Sequence, residues 1–363
     1  MITKKDLILL VLCSLILIFI HYGLKNRDIK VKNKFYNEMV LSAKNMEKLT
    51  NEIKAEKIRR GIFIDKNIDK NLTGLMGEEW SGISTTLGNE EAKRTSINPD
   101  FSALIVKNLK ELKLKEGDVV VANMSSSFPA LNLALISALD TLKLKGVLIN
   151  SVGSSNYGGN LEEFDYLDME NHLYKKGLIK NRSESFSFGG INDIGKEFEE
   201  STKERIKDKN QEYGLKFFYE EELDKNIEER YRYYQEKSGG KIGAFVNVGG
   251  NLLSLGKNAD IVINTKVLLN KEKNLNVKGG LVGKFLEDNK PVLYLLNIKG
   301  IALANGILID PVPFPEIGTS QVYYEKQTNL SYNIAIVIIF LLFVGKILFV
   351  NKKFKKVENI EKT

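Results

Sequence analysis

The chain has 363 residues, 43% hydrophobic and 27% charged, an ordinary globular composition with a formal net charge of +7. Residues 25–330 hold 45 Lys/Arg and 43 Asp/Glu, so no basic field covers the middle of the chain and its balance argues against nucleic acid as a partner. The sole cysteine, Cys13, lies in the first apolar run, which leaves the middle without a disulfide, a Cys-based metal site or a Cys nucleophile.

Residues 7–24 and 334–350 are two apolar runs of a length suited to a hydrocarbon core of about 30 Å. They predict two transmembrane helices. A cleaved export signal is the alternative for the first run, with Lys4 and Lys5 in front of it, but no small-x-small site follows. The tail carries Lys352, Lys353, Lys355 and Lys356, which predicts a cytoplasmic C-terminus and a main domain outside the cytoplasm, held at the cell (inner) membrane. Lys25, Arg27, Lys30, Lys32 and Lys34 after the first run pull the other way, although long domains translocate largely regardless of charge.

Residues 25–60 are rich in Lys, Glu and Asn, with Met39, Leu41, Met46 and Leu49 at loosely helical spacing. This pattern predicts a solvated helical stalk. Residues 74–96 are too rich in glycine and hydroxyls for a plain helix or strand and contain the single tryptophan, Trp80. They predict a structured loop lining a cleft, with Ser84, Thr85 and Thr86 on its rim and Lys93 and Arg94 on a short helix. Packing of the loop over a sheet edge is the alternative. Pro99 then opens an amphipathic helix through Leu112.

Residues 117–151 organise the rest. A Gly-Asp turn launches the apolar strand 119–122, Pro129 suits the first turn of a helix, and Leu131, Leu135, Ile136, Leu139 and Leu142 recur at helical spacing. Gly146 restarts a strand over 147–149, completing a βαβ unit with parallel neighbours. Ser125, Ser126 and Ser127 fall between strand and helix, where serines cap a helix or bind an anion or amide. A second small-residue loop, Asn150-Ser-Val-Gly-Ser-Ser-Asn-Tyr-Gly-Gly-Asn160, follows the next strand.

A helix is predicted over 164–176, carrying His172, and a brief strand and turn over 185–190. A Ser-His-Asp triad from Ser125, Ser126 or Ser127 with His172 and Asp165 or Asp168 is conceivable, although the Gly-x-Ser-x-Gly elbow is missing. Residues 192–237 are two charged helical stretches around a strand over 215–219. The strand after Lys241 ends at Asn247, Gly249 and Gly250 in a third polar loop, without a dinucleotide fingerprint. A helix over 281–287, a strand over 292–296 and a helix to Gly306 precede a Pro-rich extended linker, 310–316, leading back to the membrane.

The predicted fold class is α/β: a mostly parallel sheet with helices on both faces, doubly wound and Rossmann-like, flanked by two transmembrane helices. Its segments are 1–24 (anchor), 25–60 (stalk), 61–325 (extracytoplasmic domain), 331–350 (second span) and 351–363 (basic tail). In such a sheet, loops at strand carboxyl ends share one edge. The binding set is therefore Ser84, Thr85, Thr86, Lys93, Arg94, Asn123, Ser125, Ser126, Ser127, Ser151, Ser154, Asn247, Gly249 and Gly250.

Several stretches resemble the poly-γ-glutamate system protein family (PgsW-like). These are Gly77-Glu-Glu-Trp-Ser, Thr85-Thr-Leu-Gly, Ala92-Lys-Arg-Thr-Ser, Ser127-Phe-Pro-Ala-Leu-Asn, Ser151-Val-Gly-Ser-Ser, Leu167-Asp-Met-Glu and Phe245-Val-Asn-Val-Gly-Gly. The resemblance spans about residues 70–312 and implies a part in making, exporting or processing a γ-linked glutamate polymer, as in capsule biosynthesis, with no residue roles to carry over. The partners it implies are the polymer, other membrane subunits of the system and the lipid bilayer. No cofactor and no metal are expected. Two functions stay open: an accessory that binds polymer or partner, and a serine-dependent hydrolase or transferase of the γ-glutamyl amide with Ser125, Ser126 or Ser127 as nucleophile.

Overall fold

Short apolar runs alternating with helical periodicity build alternating strands and helices. The computed structural model describes residues 4–25, 29–256, 259–270, 277, 279–327, 334–346 and 349. The chain opens with α1 (Lys4–Lys25), β1 (Ile29–Lys32) and α2 (Tyr36–Arg59), then β2 (Ser84–Thr86), α3 (Glu90–Ser96) and α4 (Asp100–Glu111). The βαβ unit is β3 (Val119–Ser125), α5 (Pro129–Leu142) and β4 (Lys145–Ser151). After it come β5 (Ser154–Ser155), α6 (Tyr166–Lys175), β6 (Ser183–Ser187), α7 (Glu200–Glu212), β7 (Lys216–Phe217) and α8 (Leu223–Ser238). The last elements are β8 (Ile242–Val248), α9 (Leu252–Leu255), β9 (Leu268–Leu269), α10 (Gly280–Glu287), β10 (Val292–Leu295), α11 (Ile298–Asn305) and β11 (Tyr324–Gln327). Two units result: residues 34–323, and residues 1–33 together with 324–363.

In the larger unit a seven-stranded sheet has the order β7-β6-β4-β3-β8-β10-β9. All its pairings are parallel except β10 with β9, so the sheet is mixed. The chain winds outward from β3 through β4 and β6 to β7, then returns to β8 on the other side of β3. That reversal makes the gap between β3 and β8 the switch point of a doubly wound sheet, where the flanking loops diverge and leave a crevice. Helices cover both faces: Asn150 of β4 meets Asn132 of α5 at 3.3 Å, whereas Asn123 of β3 meets Arg230 of α8 at 2.6 Å. Phe245 of β8 stacks on Phe285 of α10 at 4.4 Å between centroids, within a core that includes Val121, Ile149 and Tyr234.

The solvated stalk is not what forms over residues 25–60. α2 packs on α4 and α5, and Met39, Ala43, Met46, Leu49 and Ile53 are buried there. Full burial of a Met, Leu or Ile contributes about 1.5–3 kcal/mol, so these side chains make α2 part of the domain core. Ser42 and Ser102 share a 2.5 Å hydroxyl contact across the α2–α4 seam. At the start of the Pro-rich stretch 310–316, Asp310 is held by Arg94 and by Lys70, each at 2.7 Å.

The smaller unit pairs β1 antiparallel with β11, and residues 334–346 are helical. Among the described residues no helix is long and apolar enough to cross a membrane, which overturns the two flanking transmembrane helices and the membrane localisation built on them. The reason is length. In α1 the uninterrupted apolar stretch ends at His21, Tyr22 and Gly23, so residues 7–20 rise only about 21 Å at 1.5 Å per residue, against about 30 Å of hydrocarbon. The four-lysine tail, 351–363, lies outside the described residues.

Candidate functional site

The carboxyl ends of β3, β4, β8 and β10 open into a cleft of about 710 Å³ at the switch point, a volume that suits a small ligand or a short chain segment. One wall is the β2–α3 segment, another is the loop after β4, and the far side is the first turns of α9 and α11. Phe128 ahead of α5, and Ile298 and Lys299 of α11, place two helix N-termini at its border.

Of the predicted residues, Thr85, Thr86, Lys93, Ser125, Ser127, Ser151 and Gly250 line this cleft. The others stand behind it. Ser126 is fully buried, its hydroxyl accepting from Asn150 at 2.9 Å, and Ser154 turns back onto the Ser126 carbonyl. Ser84 accepts from Asn160 at 2.9 Å, and Asn247 donates to the Gly249 carbonyl at 2.7 Å. Gly249 has a φ of 93°, and a Cβ there would meet the Ser125 Cβ at 2.9 Å, so this turn needs glycine. Arg94 points away and forks onto Asp310 at 2.7 and 2.8 Å.

The conceivable triad does not assemble. His172 pairs with Glu52 of α2 at 2.9 Å. Asp165 and Asp168 close the capping box of α6, and Lys209 binds both at 2.6 and 2.8 Å. Neither carboxylate nor the imidazole bonds Ser125, Ser126 or Ser127.

What gathers instead is a set of hydroxyls around Lys93. α3, capped by Asn89, carries Lys93 inward until it is 2% exposed. Its Nζ donates to the Ser127 carbonyl, lies 2.6 Å from Ser155 Oγ, and sits 4.3 Å from the centroid of the Phe128 ring. Among the described residues no carboxylate pairs with it. Burial therefore acts unopposed and pushes the amine down to about 7 from its ordinary 10.5. Ser127 Oγ accepts from Ser125 Oγ at 3.0 Å and from Ser155 N at 2.9 Å. Both lone pairs are then used, and its own proton is left for the cleft.

Ser155 is the residue that the sequence reasoning passed over in favour of Ser154. β5 pairs in parallel with β2, and neighbouring strand residues face opposite ways. Ser154 consequently goes under the sheet edge and Ser155 into the cleft. The two-residue alternation was present in the sequence, but which serine faces the cleft depends on distant partners, the Ser126 carbonyl for Ser154 and Lys93 for Ser155. Asn251, Asn297, Glu197 and Lys299 also line the cleft without having been expected there. Asn297 is a helix cap whose oxygen accepts from Gly300 at 3.2 Å, and Lys299 pairs with Glu91 at 2.7 Å.

Beneath the cleft, Arg230 is wholly buried. It is paired with Asp193, donates to Asn123 at 2.6 Å and to Asn226 at 3.1 Å, and so ties α8 to the end of β3. Asn123 passes the tie on to Ser254 of α9 at 2.8 Å. Asp193 accepts from Ser187 at the end of β6 at 2.8 Å. The switch-point loops are thus mounted on a polar network in which the buried charge is paired.

The fold and site define a doubly wound α/β domain with a hydroxyl-lined cleft and a buried amine at its switch point. Set against family models, curated proteins and solved structures, the chain matches none of them.

Proposed function

We propose that the cleft binds an extended chain bearing amides and carboxylates, and that a γ-linked glutamate polymer is that chain. The observation that supports this most is the meeting of Thr85, Thr86, Ser125, Ser127 and Ser151 with Lys93 at one edge of the sheet. Hydroxyls serve amides as donor or acceptor, and each such bond contributes about 1 kcal/mol net. Carboxylates gain from the N-termini of α5 and α11, while Lys299 at the border is already shared with Glu91. Glu197 on the opposite wall disfavours a carboxylate beside it and leaves that position to an amide N–H. The polymer is the ligand that the motif resemblance points to, with a part in its synthesis, export or processing as the wider role.

Calorimetric titration of the full chain with γ-linked glutamate oligomers tests this. Saturable binding is expected, weaker for α-linked oligomers of equal charge. With so few cations at the cleft, raising salt from about 0.05 to about 0.5 M should weaken binding by less than about tenfold. Absence of saturable binding, or equal affinity for both linkages, would refute the proposal.

A further inference from the structure

We infer that Ser155 and Lys93 form a nucleophile and general-base pair, giving the cleft acyl-transfer activity toward an amide or ester of the bound chain. This rests on the binding proposal for its natural substrate and on the site's own geometry for its chemistry.

A serine becomes a nucleophile when a base within hydrogen-bond reach takes its proton. Ser155 Oγ lies 2.6 Å from Lys93 Nζ, and both residues line the cleft. A buried lysine ordinarily has a carboxylate beside it, and Lys93 has only a carbonyl, a hydroxyl and an aromatic face. The neutral amine fits these neighbours. While charged, Lys93 donates to the Ser127 carbonyl and to Ser155 Oγ; once it has lost a proton, the same 2.6 Å contact lets its lone pair accept from the Ser155 hydroxyl. A structural lysine would gain from a counter-ion here, whereas a base gains from the lack of one, because burial brings the amine down to about 7 and into working range. Ser-Lys pairs are an established variant of the serine nucleophile.

The step balances without a co-reactant other than water. Ser155 Oγ attacks the carbonyl carbon as its proton passes to Lys93 Nζ, and the carbonyl electron pair moves onto oxygen. The Ser127 O–H, its lone pairs occupied by Ser125 Oγ and Ser155 N, is the donor beside that oxyanion. Collapse restores the C=O and breaks the C–N bond, with Lys93 returning the proton to the departing nitrogen. Water then attacks the Ser155 ester and gives a proton to Lys93, which passes it to Ser155 as the C–O bond breaks. Amide plus water become a carboxyl group and an amine. An amine in place of water gives transfer.

Labelling of the full-length protein with a fluorophosphonate, followed by peptide mass mapping, tests the pair independently of the natural substrate. Modification of Ser155 is expected, with a rate that rises with pH through about 7 as Lys93 loses its proton. Lys93→Met, checked for folding by circular dichroism, should label at least about 100-fold more slowly. Incubation with γ-linked glutamate oligomers should release new amines from the wild type and none from Ser155→Ala. Labelling that is absent, falls on Ser127, or survives Lys93→Met would overturn the pair. Oligomer binding with neither labelling nor amine release would leave the binding proposal standing and remove this one. Labelling of Ser155 without oligomer binding would do the reverse.

Discussion

Replacing Arg230 with methionine should lower the unfolding free energy by about 3–5 kcal/mol, the usual cost of leaving a buried charge without its partner. Arg230 has no exposed surface and is paired with Asp193, itself buried at the end of the β6 segment. Methionine preserves much of the packing but strands the Asp193 carboxylate and takes the donor from Asn123 Oδ1, which accepts from Arg230 at 2.6 Å. Urea unfolding reads the loss as a lower midpoint at unchanged slope. Adding Asp193→Leu to Arg230→Met should recover a large part of it, because the penalty is the unpaired charge and the two sites are in contact. A loss below about 1 kcal/mol in the single variant would mean that water reaches the pair and that the network does not mount the cleft. Fluorophosphonate labelling of Ser155 should also slow in Arg230→Met at equal folded fraction, since Asn123 ties β3 to α9 across the crevice.

The second large effect lies in the pH dependence of stability. Lys93 has a folded-state pKa of about 7 against an ordinary lysine value of 10.5. Between these values the unfolded chain holds a proton that the folded chain has released, so stability rises with pH across this window. The contribution is complete above the ordinary lysine value and is lost as pH falls through about 7. Its upper bound between pH 7 and 10 is about 4 kcal/mol, at about 1.4 kcal/mol per pH unit. Lys93→Met removes it. The variant should therefore unfold at a higher temperature than the wild type below pH 7, where the wild type buries an ammonium without a counter-ion. The curves should converge or cross as pH rises. Lys57, which burial lowers to about 8, titrates in an overlapping window but is present in both proteins and cancels in the difference. A difference curve flat from pH 6 to 10 would show that Lys93 stays charged in the folded protein.

Much of the fold was legible because it is written in local periods. The strand–Pro129–helix–strand succession, the strand over 292–296 and the strand ending at Asn247 each depend on residues a few positions apart. Parallel strands then deliver their loops to one edge, and Ser125, Ser127, Ser151 and Gly250 do meet there. What was misread involved partners distant in sequence. The stripe Met39, Met46, Leu49 and Ile53 is sparse among lysines and glutamates, and nothing near it in the chain announces α4 and α5 as its cover. Arg230 is one of many charges in a stretch that looks wholly solvated, and Asp193 and Asn123 reach it only once β3, α8 and the loop after β6 are assembled.

The sequence by itself determined an α/β alternation, a middle free of disulfides and of basic excess, and small polar loops at the ends of three strands. Those properties follow from residue type and short-range spacing, which hold whatever the rest of the chain does. Tertiary structure alone decided which serine of the pair at 154 and 155 faces the cleft, because their partners, the Ser126 carbonyl for Ser154 and Lys93 for Ser155, come from distant segments of the chain. It alone decided the state of Lys93 as well. An amine on a short polar helix reads as an ordinary surface cation until the fold buries it beside Phe128, the Ser127 carbonyl and Ser155, and that burial pushes its pKa down.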